Sequence, residues 1–282
     1  QFDSLYDFLY TYGGQAAVQQ YGIQPIGAEL SRSYDGGVEQ SFFSERLLLR
    51  VTYFHNQFGN QIESVPPSAL TQLLPNLPPE QLQELIGLLN ASFVSPTVNS
   101  MDFRAQGIES EVQYGIGRNI FLRGGYTYLD SVVENSFSSD ALSPTYNTES
   151  SFPDVPIGVY SPLVGARPFR RPPHTGFLTA TYTGKYWTVV GNGAFSSRSD
   201  DSTFLGDSDA NFGNSLLLPN RNLDYGYAKL DFGVVCQVRP WIAVYTQIDN
   251  VVSNQHIGPI GYPSLPFNIR TGLRLALGKE LK

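Results

Sequence analysis

Apolar and polar side chains alternate with a period near two in about nine stretches of the chain. The first covers roughly 29–42, with Leu30, Tyr34, Val38 and Phe42 on one face and Ser33, Asp35, Glu39 and Ser41 on the other. The second covers roughly 46–57, where Leu47, Leu49, Val51 and Tyr53 oppose Arg46, Arg50, Thr52 and Asn56. Similar stretches lie near 103–115, 120–130, 174–183, 186–197, 227–238, 241–250 and 266–277. Period two predicts strands whose two faces meet different surroundings.

The gaps between these stretches alternate as well. Phe43-Ser44-Glu45, residues 115–119, Gly184-Lys185 and Arg239-Pro240 are short links. Long connections run to about 101, 173 and 226. A soluble sandwich has no reason to sort its links this way. A transmembrane antiparallel β-barrel of the bacterial outer membrane does, because tight turns face the periplasm and long loops the exterior.

Two regions break the pattern. Pro78-Pro79-Glu80 opens a stretch with Leu82, Leu85, Leu88 and Leu89 at spacings of three and four, which predicts a short amphipathic helix in an external loop. Residues 1–28, rich in Tyr, Gln and Gly, read as an external loop region with one helical turn.

Composition agrees with a barrel wall. The chain has 282 residues, of which 15% are charged, against about 25% in soluble domains. The mean hydropathy of -0.17 is what alternating lipid-facing and lumen-facing residues produce. No apolar run reaches the ~18 residues of a transmembrane helix. A net charge of -7 argues against a nucleic-acid partner. The single Cys236 excludes a disulfide framework.

Strand parity adds an expectation. Nine strands, the last ending in the periplasm, put the start of the first outside, whereas single-chain bacterial barrels have even strand numbers. At least one more strand is expected before Gln1. The chain also opens without a start methionine or a basic signal region.

Several stretches resemble the C-terminal part of a TonB-dependent outer-membrane receptor. The segment from Ile26 to Gln40, containing Gly36-Gly37-Val38-Glu39, is similar to the family's aromatic-then-Gly-Val-Glu stretch. Gly107-Ile108-Glu109-Ser110-Glu111 followed by Tyr126-Thr127-Tyr128-Leu129-Asp130 resembles a recurrent hairpin, and Arg171-Pro172-Pro173-His174 the entry to the next strand. The most specific match is Leu230-Asp231, then Ile248-Asp249-Asn250-Val251-Val252, then Gly261-Tyr262-Pro263. The resemblance implies a barrel of 22 strands enclosing an N-terminal plug, with residues 29–278 as roughly strands 14 to 22 and 279–282 as a tail. The chain departs from the family at Pro266-Phe267-Asn268, where Pro-Gly-Arg is usual, and at Gly278-Lys279-Glu280-Leu281-Lys282, which replaces a terminal aromatic.

Candidate chemistry is sparse. His55, His174 and His256 lie on separate strand ends or loops with no Ser or Asp partner at a catalytic spacing, so no enzyme is expected. Asp200, Asp201, Asp207 and Asp209, with Asn211, space oxygen ligands as a Ca²⁺ loop does, although Phe212 stands where an EF-hand needs Gly; a solvated acidic loop is the alternative. Arg167, Arg170 and Arg171 could present planar forks to an anionic ligand or to lipopolysaccharide at the rim. Tyr6, Phe8, Tyr10, Tyr12 and Tyr21 are external aromatics that could contact substrate or join an aromatic girdle.

The resemblance implies uptake of a scarce nutrient, a ferric siderophore or cobalamin, in the outer membrane, with a plug domain and the TonB energy-coupling complex as partners beside lipid and lipopolysaccharide. The alternative is a non-transporting structural barrel in a cell-envelope assembly. No cofactor is expected beyond the candidate Ca²⁺.

Overall fold

The computed structural model describes residues 4–137, 165, 167–168, 171–197, 199–200, 223–224, 226–254 and 265–276. Nine strands form one antiparallel sheet in the order β1 (Leu30–Phe42), β2 (Leu47–Ser64), β3 (Thr97–Ile116), β4 (Ile120–Asn135), β5 (His174–Thr183), β6 (Trp187–Ser196), β9 (Tyr227–Arg239), β10 (Ile242–Asp249) and β11 (Asn268–Leu275). Two further short strands, β7 (Ser199–Asp200) and β8 (Leu223–Asp224), pair only with each other. The sheet is open: β1 pairs with β2 and β11 with β10, and β1 and β11 are not neighbours.

All nine expected strands are present, and the links alternate around the sheet. The short links 43–46, 117–119, 184–186 and 240–241 lie at one end of the strands; the long connections, from β2 to β3, β4 to β5, β6 to β9 and β10 to β11, leave from the other end. The second, third and fourth strands run further than alternation suggested. With 18, 20 and 16 residues, they exceed the ~9–11 residues needed to cross a bilayer. The excess projects past the long-connection rim.

The register shows the strand tilt. A line of directly paired residues runs Phe42, Leu47, Tyr114, Leu122, Ala180, Gly191, Phe232, Ile248, Ile269. It begins at the last residue of β1 and arrives at the second residue of β11, six positions short of Leu275. At ~3.3 Å per residue and ~4.8 Å per strand, that drift is a tilt of about 30°.

Glycine and aromatic residues complement each other across the strands. Gly125 pairs with Phe177, Gly176 with Phe195, Gly191 with Phe232 and Gly272 with Tyr245. In each pair a Cβ on the glycine would lie 2.4–3.1 Å from the partner's ring atoms. The ring lies over the bare glycine backbone and restores the apolar contact that a strand glycine forfeits.

Residues 4–28 hold more helix than the single turn that was expected. Leu5–Tyr21 is α1, a helix interrupted at Gly13 and Gly14, with Gly14 at φ 64° and ψ -159°. Ser4 caps it: the Asp7 amide donates to Ser4 Oγ at 3.0 Å, and Ser4 Oγ donates to the Asp7 carboxylate at 2.6 Å. Gly22 ends it in the left-handed region at φ 66°. The β2–β3 connection holds a short 3-10 turn (Pro67–Ala69), α2 (Leu70–Leu73) and the expected amphipathic helix, α3 (Pro79–Ala91).

These helices form a cap with its own core. Leu5, Leu9, Val18, Tyr21 and Ile23 bury against Leu70, Leu85 and Leu89. The sheet, by contrast, leaves large apolar side chains uncovered on one face, Val38 at 71% among them.

Candidate functional site

The two faces of the sheet are chemically distinct. One carries Tyr34, Val38, Val51, Ile108, Leu178 and Leu273, all exposed. Aromatic and bulky residues bound this face in two rows eight residues apart: Tyr34 and Phe42, Tyr128 and Ile120, His174 and Tyr182, Phe195 and Trp187. Eight residues span ~27 Å along a strand and, at about 30° tilt, ~23 Å in height. A membrane barrel's apolar band is ~25 Å tall.

The opposite face carries a charge ladder across four strands. Arg50 Nε donates to the Glu39 carboxylate at 2.8 Å, and its Nη2 also engages Glu39. Its Nη1 lies 3.6 Å from Glu111. Arg123 Nε and Gln113 Nε2 each donate to Glu111 at 2.8 Å. The Arg123 guanidinium then sits 5.6 Å above the Phe177 ring. Acid and base alternate along the ladder in the order Glu39, Arg50, Glu111, Arg123.

Beyond the upper aromatic row, towards the long connections, the apolar face turns polar. Arg104 lies 3.2 Å from Asp130 and 3.7 Å from Glu134. Gln106 donates to Asp130 at 3.0 Å and accepts from the Tyr53 hydroxyl at 3.2 Å. This is where strands of this length leave the apolar layer.

The cap is tied to the strand ends by amides and carboxylates. A bulge at Gly59 and Asn60 opens β2 against β3. Asn60 N–H donates to Asp102 at 2.9 Å, and Asn60 Nδ2 donates to the Ala28 carbonyl at 2.7 Å. Glu29 accepts from the Ile62 amide at 3.0 Å. Glu63, only 7% exposed, accepts from the Ser100 hydroxyl at 2.6 Å, the Phe137 amide at 2.8 Å and the Ser136 hydroxyl. Three donors satisfy this buried carboxylate and fasten the root of the 136–173 connection to β2 and β3. A cavity of about 400 Å³ lies where α1, residues 22–27, α2 and the ends of β2 and β3 meet.

The candidate residues fall as follows. His55 Nδ1 faces Gln106 Oε1 at 3.1 Å, and His174 Nδ1 faces the Tyr126 hydroxyl at 2.7 Å, with its ring stacked on Tyr126 and tilted against Tyr128. Neither has an acid or nucleophile as partner. Arg167 has its Nε buried without a hydrogen-bond partner, and Arg171 is exposed. Asp200 lies in β7. Arg170, Asp201, Asp207, Asp209, Asn211, Phe212 and His256 lie outside the described residues. Among the described residues no group of three metal-ligating side chains occurs. The girdle reading fails for α1: Tyr21 is core, Tyr6 and Phe8 pack on the cap core, and only Tyr10 and Tyr12 stay exposed. The cavity went unforeseen, because residues distant in sequence build it.

The fold matches solved receptors. The Fiu ferric-catecholate import receptor of Escherichia coli K12 aligns with a TM-score of 0.53 at 14% identity, over 88% of this chain and 27% of that one. The ferripyoverdine receptor of the outer membrane of Pseudomonas aeruginosa gives 0.53 at 15%, over 88% and 27%. The FrpB iron transporter of Neisseria meningitidis gives 0.53 at 14%, over 90% and 32%. The chain thus spans about a third or less of these receptors' length. No curated protein sequence matches it. The family model for the TonB dependent receptor-like beta-barrel matches residues 1–251. With its nine-stranded antiparallel sheet, the chain belongs to the TonB-dependent receptor β-barrel family.

Proposed function

We propose that this chain is the wall and outer cap of an outer-membrane transporter for a scarce nutrient of the ferric-siderophore or cobalamin type. The observation that carries this reading is the two-faced sheet. An apolar band about as tall as a bilayer core lies on one side, and a charge-balanced ladder on the other. In this reading the apolar band meets lipid and the ladder faces the lumen. The long connections and the cap meet the exterior and its lipopolysaccharide. A plug domain in the lumen and the TonB complex would supply gating and energy. Support for the iron assignment comes from the matched receptors, named for ferric-catecholate import, ferripyoverdine and iron transport.

The test is uptake. Cells lacking the gene should lose TonB-dependent accumulation of radiolabelled ferric siderophore or cobalamin under starvation, and regain it with the intact gene. Equal uptake of every such ligand with and without the gene would leave the structural-barrel reading.

A further inference from the structure

We propose that the cavity beneath α1 is a binding site for a small, apolar-bodied molecule that is uncharged or cationic, and that it rejects anions. The proposal goes beyond the transport reading and does not rest on it, because it names a ligand class for the outer cap and not the transported nutrient.

The size suits a small molecule. The cavity's volume of about 400 Å³ lies within the ~300–1,000 Å³ of ligand pockets. Leu5, Leu70, Leu74 and Val98 give it apolar walls, and the Asn60 and Asn99 amides edge it. Both amides are already committed. Asn99 bonds the Gly27 backbone twice and the Asn60 carbonyl once, while Asn60 bonds the Ala28 carbonyl. The lining is therefore held in place before any ligand arrives.

The charge pattern selects the class. No charged side chain lines the cavity. The cap segments 4–31 and 59–103 contain Asp7, Glu29, Glu63, Glu80, Glu84 and Asp102 but no Lys or Arg. An anion entering here would lose its hydration and meet no cation in return. It would also enter a field in which acids outnumber cations: Arg32 and Arg104, the cations that follow in these strands, lie in register with Gln57 beyond the bulge, and Arg104 already engages Asp130 and Glu134. A neutral ring loses nothing comparable, and a cation gains from the same field. The cap therefore discriminates by repulsion as well as by fit.

The experiment uses the full chain as the cell makes it, in lipid nanodiscs, with three probes on one bicyclic scaffold: naphthol, naphthylmethylammonium and naphthalenesulfonate. Methyl resonances of Leu74 and Val98 report binding. Naphthol and the ammonium should bind, with the sulfonate weaker by about tenfold or more. Raising salt should shrink the ammonium's advantage and leave naphthol unchanged. Ile26→Trp, at the half-exposed mouth, should abolish binding of all probes while the methyl spectrum of the cap persists. If that spectrum is lost, Leu74→Phe replaces it, read at Val98.

Equal binding of the sulfonate would overturn the proposal. So would binding unchanged by the filling variants, or no binding at all, as when another part of the chain or a second copy occupies the cavity. Probe binding without nutrient uptake would defeat the transport reading and leave the cavity's selectivity standing; uptake without probe binding would do the reverse.

Discussion

Gly27 and Asn99 hold each other by two hydrogen bonds: the Gly27 amide donates to Asn99 Oδ1 at 2.7 Å, and Asn99 Nδ2 donates back to the Gly27 carbonyl at 3.2 Å. The side chain of β3 thus acts as one more strand partner for the segment that joins α1 to β1. Asn99 Nδ2 also reaches the Asn60 carbonyl at 2.8 Å, so a single amide joins three pieces of backbone. The placement of α1 over the cavity depends on this point.

Asn99→Ala should therefore loosen α1 without disturbing the sheet. Its three bonds are partly solvated, so the expected loss is about 1–2 kcal/mol of cap stability. Asn99→Asp should cost more, because it removes two donated bonds and sets a carboxylate against two carbonyls. Hydrogen exchange at the Gly27 amide checks this. Exchange unchanged in both variants would mean that the core of the cap alone positions α1.

Phe93 is the second case of local geometry with a measurable consequence. It ends α3 in the left-handed region at φ 54°, and its side chain is 97% exposed. The Phe93 amide donates to Asn90 and the Val94 amide to Leu89, the pattern of a Schellman turn whose αL position normally holds Gly. Phe93→Gly should stabilise the cap by about 0.5–1 kcal/mol, the relief of αL strain less the extra freedom of the unfolded chain. Phe93→Ala keeps the strain and should gain little. Cap unfolding in denaturant compares the two. A gain as large from Ala would assign the effect to the exposed ring instead.

Much of the wall was legible in the chain. Leu230, Phe232, Val234, Cys236 and Val238 against Lys229, Asp231 and Gln237 place β9 within a residue of its observed end. A strand with two different faces writes them directly into its sequence. Likewise Leu82, Leu85 and Leu89 mark α3. α1 was harder, because Gly13 and Gly14 interrupt it: Leu5 and Leu9 form one short apolar stripe, Val18 and Tyr21 another, and neither is long enough to read alone. Its end signals were present in Ser4 with Asp7 and in Gly22. The pairs of glycine and aromatic residues were invisible for another reason. Gly176 meets Phe195 only once the register of β5 against β6 is known. The cavity needs residues 5–27 and 60–99 brought together, a contact that no local pattern encodes.

A third prediction concerns alkaline pH. Tyr21 is buried in the cap core, and its phenol is pushed above the ordinary value of 10.0, first by burial and then by the nearby Glu84 carboxylate. The folded cap favours the neutral phenol, while the unfolded chain ionises at the ordinary value. The stabilisation is therefore complete below pH 10 and is lost as pH rises through the higher folded value. Phenolate absorbance should show one tyrosine ionising late, together with loss of cap structure. Tyr21→Phe should remove that step, and Glu84→Gln should move it to lower pH. A Tyr21 that ionises at or below the ordinary value of 10.0 would contradict the burial argument.

The last prediction tests which face meets lipid, using one substitution at two adjacent residues. Leu178 and Thr179 sit near the middle of β5 and point to opposite faces. Leu178 packs over Gly124, where an added Cβ would come 3.4 Å from its Cδ1. Thr179 donates a hydrogen bond to Asn192 at 2.9 Å on the face that holds the charge ladder. With the apolar face in lipid, Leu178→Arg should destabilise the wall by about 2–4 kcal/mol, the cost of Arg near the bilayer midplane. Thr179→Arg places the same charge among polar groups beside Asn192, and its cost should stay near that of one neutral hydrogen bond, about 1 kcal/mol. Reversible folding of the full chain into lipid bilayers, followed in denaturant, measures both. Adjacent positions share depth and backbone, so the difference isolates the facing. Equal costs would overturn the assignment of the Tyr34–Leu178–Leu273 face to lipid, and a larger cost at Thr179 would put the ladder against lipid instead.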